Sequence, residues 1–403
     1  MTTPTPFSLG SNSKGQLGIG HVEDVSTPQP VTFHLEPPTC GIKKVAAGGN
    51  HTLLLTKNGD VWAAGDILLG AYGPIEVTDG TGGTGGAEAR CSTRSDNEEN
   101  KQQQQHQNVF RQIPTLSKAT HIASTWTAGI VVCRDTDLPA STGRQIVCSF
   151  GTELKGELGR TQTPREAPPE TPVKIEDFPP LGTAVVDISA SLNHVVVVLS
   201  DGSAWGWGAS RKGQLGSIPG RGFFPGPTFI PNIPFPVKRA VAGNESTTFF
   251  SDPSSGKVHI HGGWKYKLKE HVPKEIPPWQ DVAAGWSSLY VLTNDGQILS
   301  WGNNKYGQHA PPNLPRIVEM AAGSEHVVAL TEEGGVISWG WGEHGNCGPI
   351  PHEPGECVPY GALIGRWNLI ANAKFLKDGS RITGLGAGCA TSWILVETEG
   401  LVL

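Results

Sequence analysis

The sequence is short of basic charge: 31 lysines and arginines stand against 37 acids, leaving a net charge of −6. A generic nucleic-acid binder would present a basic surface to phosphate, so that class is disfavoured. No uninterrupted apolar stretch approaches about 18 residues, the length expected of a membrane-spanning helix. The opening "MTTPTPFSLG" lacks a basic start followed by an apolar run, so no secretory leader is expected. Seven cysteines, an odd number with no C-x-x-C pair, fit neither a closed disulfide framework nor a zinc ribbon. They read as reduced thiols of a cytosol-like compartment, and the expected location is the cytoplasm, with the nucleus also open to the protein. Also missing are a Gly-x-x-x-x-Gly-Lys-Ser/Thr loop, a Gly-x-Ser-x-Gly elbow and a His-Glu-x-x-His pair, so the glycines here belong to turns rather than to nucleotide binding.

What the chain has is glycine and proline, 53 and 32 of them in 403 residues, arranged in a repeat. One phrase joins an aromatic or apolar residue to glycine, usually with a second turn glycine: "FSLGSNSKGQLG" from Phe7, "VWAAGDILLG" from Val61, "CSFGTELKGELG" from Cys148, "WGASRKGQLG" from Trp207, "IHGGWKYK" from Ile260, "SWGNNKYGQ" from Ser300 and "WGEHGNCG" from Trp341. A second phrase runs from small residues through a variable tip into an apolar strand: "AAGGNHTLLL" from Ala46, "IASTWTAGIVV" from Ile122, "SASLNHVVVVL" from Ser189, "VAGNESTTFF" from Val241, "AAGWSSLYVL" from Ala283, "AAGSEHVVAL" from Ala321 and "GAGCATSWIL" from Gly386.

Apolar runs flank Asn58-Gly59, Asp201-Gly202 and Asp295-Gly296, dipeptides that suit tight primed hairpin turns. Pro-rich segments such as "STPQP" and "FPGPTFIPNIPFP" are expected to be loops between hairpins. Seven small antiparallel sheets in series predict an all-β, seven-bladed β-propeller occupying residues 1–403 as one domain. The first glycine phrase has no strand before it, and "TSWILVE" has none after it. Phe7–Leu9 should therefore pair antiparallel with Ser392–Val396 and close the ring. Thr78–Asn108, rich in Gly, Gln and charge, is expected to be a disordered insertion with no catalytic role.

The pairing of W-G-x-N-x-x-G-Q-L-G with a following A-x-G-x-x-H resembles the regulator-of-chromosome-condensation repeat over nearly the whole chain outside that insertion. "WGWGEHGNCGP" (Trp339–Pro349), "GCATSWIL" (Gly388–Leu395) and "FSLGSNSKGQLGIGHVEDVSTPQ" (Phe7–Gln29) resemble the fungal alpha-tubulin-suppressor, or killer-toxin-insensitivity, propellers. That resemblance implies a heterodimer with a small CSL-type zinc-ribbon protein that carries electrons. It also implies support of diphthamide synthesis on elongation factor two and of Elongator-dependent tRNA wobble-uridine modification, without direct nucleic-acid or membrane contact. The other reading is guanine-nucleotide exchange on a small GTPase, an activity of other proteins with this repeat; no basic tail precedes Phe7 here. A general cytoskeletal or ubiquitin-pathway scaffold is a third reading that the fold permits.

No catalytic, cofactor or metal residue is assigned, and the protein is read as a non-enzymatic adaptor. A metal site from His344 and Cys347 with Glu343 or Cys389 would need about four converging ligands. The aligned turns "GSNSKGQLG" and "GNNKYGQ" lack such a set and still make the loop, so turn geometry accounts for this stretch better. Trp339 is expected between blades. Trp341, Glu343, His344 and Asn346 exceed what a turn needs and are the first interface candidates. The second-phrase tips should gather around the axis. Their histidines His51, His194 and His326 are expected to order the loop rather than catalyse, lacking a nucleophile or orienting group at motif spacing. Trp126 and Trp286, standing at tips otherwise small or polar, are either protein-binding anchors or packing between blades. The basic stretch "KYKLKEHVPKE" from Lys265 is read as a solvated loop.

Overall fold

The computed structural model describes residues 6–66, 108–139, 142–161, 171–216, 222–263, 265–350, 359–372, 376 and 380–398. They form seven antiparallel sheets arranged as a β-propeller. Blade 1 contains Ile42–Ala47, His51–Thr56, Val61–Gly65 and Arg111–Gln112; blade 2 contains Ala119–Ser124, Ala128–Arg134, Gln145–Gly151 and Val173–Lys174. Blade 3 is built from Val185–Ser191, His194–Leu199, Ala204–Ala209 and Phe223–Phe229. Blade 4 uses Arg239–Ala242, Ser246–Phe250 and Val258–Gly262, and blade 5 uses Trp279–Ala284, Ser288–Thr293 and Ile298–Gly302. Blade 6 has Ile317–Ala322, His326–Thr331, Val336–Gly340 and Leu363–Ala371. Blade 7 is composite: Ser380–Ala387 and Thr391–Thr398 are completed by Phe7–Gly10 and Val25–Pro30. Phe7 pairs with Ile394, Ser8 with Trp393, Leu9 with Ser392 and Gly10 with Thr391, so these two strands close the ring by the expected antiparallel pairing.

One backbone node explains why the first phrase always carries its glycine, and it sets the start of the seventh copy at Trp339-Gly340 rather than at Trp341. Gly10, Gly65, Gly151, Gly208, Gly262, Gly302 and Gly340 all have φ between 70° and 115°, where an L side chain is strained. The next residue in each case donates its N–H to the carbonyl of a second-phrase tip: Ser11 to Ala390, Asp66 to Asn50, Thr152 to Thr127, Ala209 to Asn193, Gly263 to Glu245, Asn303 to Ser287 and Trp341 to Glu325. A Cβ on any of these seven glycines would stand 2.2–2.5 Å from that same carbonyl oxygen. Even the irregular phrase of blade 4 obeys the node through Gly262.

Trp339 packs between blades as expected, and Trp207 occupies the equivalent place. Trp339 is fully buried and its indole N–H donates to the Gln308 carbonyl of blade 5 at 3.1 Å. Trp207 does the same to Glu157 of blade 2 at 2.9 Å. The small residues of the second phrase line the axis: Ala47, Ala190, Ala242, Ala284, Ala322 and Ala387 form a neck, with Ser124 in blade 2. Seven inner strands converge there, and larger side chains would collide.

Three local expectations are corrected. The hairpin glycines Gly59, Gly202 and Gly296 have φ of 90°, 81° and 82°, but Asn58, Asp201 and Asp295 are outside the positive-φ set. Gly59 N–H bonds Thr56 O and Thr56 N–H bonds Asp60 O. The loop is thus a three-residue turn ending in a glycine bulge rather than a two-residue primed turn. Proline also does not exclude strands: Val25–Pro30 and Phe223–Phe229 are strands at the outer blade edges, where a missing N–H costs no ladder bond. The Lys265 stretch contains a one-turn helix, α1 (Leu268–His271), because Leu268 is 4% exposed and joins the core between blades 4 and 5. Residues 78–107 of the expected insertion lie outside the described residues. Asn108, its last residue, is buried and its carbonyl accepts the Gly20 N–H.

Candidate functional site

The second-phrase tips gather in a ring around one end of the axis, tied by backbone bonds in two runs, blades 1 to 3 and blades 4 to 7. Gly49 N–H donates to Trp126 O, Trp126 N–H to Leu192 O, Asn244 N–H to Trp286 O, Trp286 N–H to Ser324 O and Ser324 N–H to Gly388 O, at 2.7–3.2 Å. Trp126 and Trp286, from blades 2 and 5, reach across the axis and meet with centroids 6.0 Å apart and planes tilted 47°. Trp126 also lies on Gly49, where a Cβ would sit 2.5 Å from the indole. Both tryptophans are half-buried: they cap the axial mouth and still offer part of their rings to solvent.

The three histidines sit beneath this ring, not in it. His51, His194 and His326 are at most 1% exposed. His194 Nε2 meets Thr247 Oγ1 of blade 4 at 3.0 Å, and His326 Nε2 meets Ser392 Oγ of blade 7 at 2.9 Å. Their partners are hydroxyls of the next blade rather than neighbouring backbone. Blade 2 has Gly129 at the corresponding place, and neither ring nitrogen of His51 has a partner among the described residues. Burial pushes all three pKa values down to about 4, which keeps the rings neutral and tied into the blade seams. The second-phrase glycine makes room for the ring: a Cβ on Gly48 or Gly323 would lie 2.4 or 2.3 Å from the histidine Cε1.

The Trp341 turn belongs to blade 6, not to the closing blade that carries Gly388–Leu395, and it separates its four candidates. Asn346 is fully buried; its amide donates to Trp341 O at 2.7 Å and its own carbonyl accepts the Ser392 hydroxyl at 2.7 Å. In the aligned turns Gln16, Gln214 and Gln308 use the side-chain carbonyl to accept the N–H of Lys14, Lys212 and Tyr306. Asn346 is therefore an internal brace of the turn, lying beneath the outer surface. Trp341 is half-buried and meets His344 edge-on at 5.3 Å, while His344 Nδ1 lies 2.7 Å from Asp24 Oδ2. Glu343 is exposed beside them. Cys347 is buried, with its thiol directed at Trp341 O and its pKa pushed to about 12 by burial. His344 and Cys347 thus face different partners, and among the described residues no group of three or more His, Cys, Asp or Glu is placed to hold a metal.

Three residues extend this surface beyond the sequence candidates. Asp24 arrives from the N-terminal part of blade 7, a proximity that ring closure implies. Tyr360 is 56% exposed and packs edge-on against Tyr306 at 5.8 Å, with Lys305 over Tyr306 at 4.9 Å. The adjacent Gly361 lies against Gly342 of the Trp341 turn, a Cβ there being 2.8 Å from the Gly342 carbonyl carbon. Tyr306 belongs to the blade 5 glycine phrase and was findable from that phrase; Tyr360 falls in an irregular connection with no repeat signal.

A ring of different character occupies the other end of the axis. One equivalent position of the innermost strands carries Lys44, His121, Asp187 and Arg239 in blades 1 to 4 and Asp281, Glu319 and Gly384 in blades 5 to 7. It borders a cavity of about 380 Å³.

Comparison with known proteins agrees with the architecture. The chain is 28% identical over 314 residues to an RCC1 repeat-containing protein of Schizosaccharomyces pombe, covering 73% of this chain and 76% of that one. It is 27% identical over 329 residues to the secretion-regulating guanine nucleotide exchange factor of Mus musculus, covering 75% of this chain but 60% of that protein. Among solved structures, Prp20p of Saccharomyces cerevisiae superposes with a TM-score of 0.71 at 18% identity, over 100% of this chain and 93% of that one. Human WBSCR16 gives 0.70 at 16% identity, over 98% and 100%. The family model for the RCC1-like domain matches residues 5–394, and the chain belongs to that family.

Proposed function

We propose that this RCC1-like propeller is a non-enzymatic adaptor that docks a small CSL-type zinc-ribbon protein and presents it to diphthamide synthesis and to Elongator-dependent tRNA modification. The observation that carries the docking is the Trp341–His344–Asp24 row, continued by Tyr360 and Tyr306 and bordered by Lys305 and Glu343. Half-buried aromatics held by fixed neighbours, with charge at the rim, are the composition of binding hot spots. The buried histidines support an adaptor rather than an acid-base enzyme, since rings with pKa values near 4 are poor proton carriers at neutral pH. The identity of the partner rests on the suppressor-type resemblance of Trp339–Pro349 and Gly388–Leu395.

The test is binding of the purified chain and its Trp341→Ala variant to the small zinc-ribbon protein. Stoichiometric binding that the variant weakens supports the reading; no binding by the parent chain removes it. Guanine-nucleotide exchange is the second reading, favoured by the name of the mouse relative and by a Prp20p study that concerns its binding to Gsp1p. Accelerated nucleotide release from a small GTPase, without zinc-ribbon binding, would establish that reading instead.

A further inference from the structure

The cavity at the charged end of the axis is a blind cup. Its floor is the alanine neck, and beyond the neck the Trp126–Trp286 pair caps the axis. The charged ring lies three residues from the neck along each inner strand, or roughly 10 Å at about 3.3 Å per residue. The volume of about 380 Å³ suits a small molecule rather than a single ion.

Three of the five charges in this ring satisfy one another. Arg239 bridges blades 3 and 5, its Nε 3.2 Å from Asp187 and its Nη1 2.9 Å from Asp281; Asp187 also accepts the Ala240 N–H at 3.0 Å. Two charges remain. Lys44 of blade 1 has no hydrogen bond or ion pair among the described residues. Glu319 of blade 6 accepts the Leu385 N–H at 2.8 Å and has no cationic partner among them. Between these two blades lies blade 7, whose equivalent residue is Gly384. A Cβ there would stand 3.1 Å from Leu395 Cδ1 and 3.6 Å from Glu319 Oε1, so blade 7 contributes no side chain of its own at this position between the cation and the acid.

We propose that this cup binds a small aliphatic α-amino acid, carboxylate toward Lys44, ammonium toward Glu319 and side chain toward the alanine neck. A simple anion drawn to Lys44 would be repelled by Asp187, Asp281 and Glu319, and a simple cation drawn to Glu319 would be repelled by Lys44 and Arg239. A zwitterion answers both unpaired groups at once. Burial dominates the titration of both groups, although Asp187 and Asp281 act on Lys44 through space and partly offset it. Burial raises the Glu319 carboxyl. Lys44 is open to water within the channel, yet enclosure by the walls holds its ammonium below the ordinary lysine value.

The experiment is calorimetric titration of the full chain with L-leucine, leucine amide, which lacks the carboxylate, and 4-methylpentanoate, which lacks the ammonium. Leucine should bind in the millimolar range or tighter, and each analogue at least about tenfold more weakly. Lys44→Met and Glu319→Gln should each reproduce the loss for leucine while thermal unfolding confirms that they fold, and Gly384→Val should block the gap. Should a variant fail to fold, the analogue series on the parent chain still decides. Equal binding of leucine and leucine amide, unchanged binding by folded Lys44→Met, or no leucine binding at millimolar concentration would overturn the proposal.

Discussion

His326 and Ser392 join blade 6 to blade 7 through a 2.9 Å contact, and that contact fixes the tautomer of the histidine. The Ser392 hydroxyl donates its one hydrogen to the Asn346 carbonyl at 2.7 Å, so it must accept from His326 Nε2–H. Burial, which lowers its pKa to about 4, keeps His326 neutral, so with Nε2 carrying the hydrogen Nδ1 is bare, buried and without a partner among the described residues.

The protein should lose stability on mild acidification. His51, His194, His326 and His261 have pKa values lowered to about 4, from 6.5, mainly by burial. Between those values the unfolded chain binds more protons than the folded one, so stability rises with pH through the window and levels above it. Each fully engaged histidine contributes a slope of up to about 1.4 kcal/mol per pH unit. Glu319 and Glu325, raised by burial, oppose this, because the folded state holds their protons longer. Urea unfolding at neutral pH and near pH 5 checks the net effect; equal midpoints would contradict it.

Histidine substitutions should divide by seam. His326→Leu removes the donor to Ser392 Oγ, which keeps its own bond to the Asn346 carbonyl, and should cost about 1 kcal/mol. His51→Leu removes a buried ring that faces Gly129 instead of a hydroxyl, and should be neutral or stabilising. Comparable losses for the two would mean that the hydroxyl tie is not what distinguishes them. The measurement is equilibrium denaturation of both variants at neutral pH.

Two neighbouring tryptophans should behave oppositely. Trp339→Ala removes a fully buried ring and its bond to Gln308 O, at about 3–5 kcal/mol of stability. Trp341→Ala should leave folding within about 1 kcal/mol and weaken partner binding by about 2 kcal/mol or more. Glu343→Ala, on an exposed rim, should matter less. Unfolding curves and zinc-ribbon binding on the same samples separate the effects; a folded Trp341→Ala chain with normal binding removes the anchor.

Deleting the chain from Thr391 onward should leave Phe7–Gly10 as an open strand and replace cooperative unfolding with aggregation or a broad transition. Gel filtration and urea unfolding test this, and a monomeric truncated protein of unchanged stability would refute closure as a stabilising device.

Ring architecture and closure were legible because each depends on a local pattern repeated along the chain. Gly262 shows how far that goes: its phrase is degraded, yet its positive φ and its approach to the Glu245 carbonyl are intact. Asn58-Gly59 pointed to the hairpin but not to its turn type, since an extra turn residue leaves the same dipeptide at the tip. The site was less legible. Asn346 and His344 are two residues apart in one polar turn, and only the packed structure shows one turned into the seam and the other out to Asp24. The Lys44–Glu319 cup was not visible at all, because its members share an inner-strand position and no sequence motif.

Closure by both ends of the chain also sets an order of events during synthesis. Phe7–Gly10 leaves the ribosome long before its neighbour Thr391–Thr398 is made. At about 5–20 residues per second the interval is roughly 20–80 s. Throughout it the nascent chain carries a ready-made strand with nothing to pair with. The ring cannot shut until Thr391–Thr398 has been made, so its closing pair is the slowest to become available.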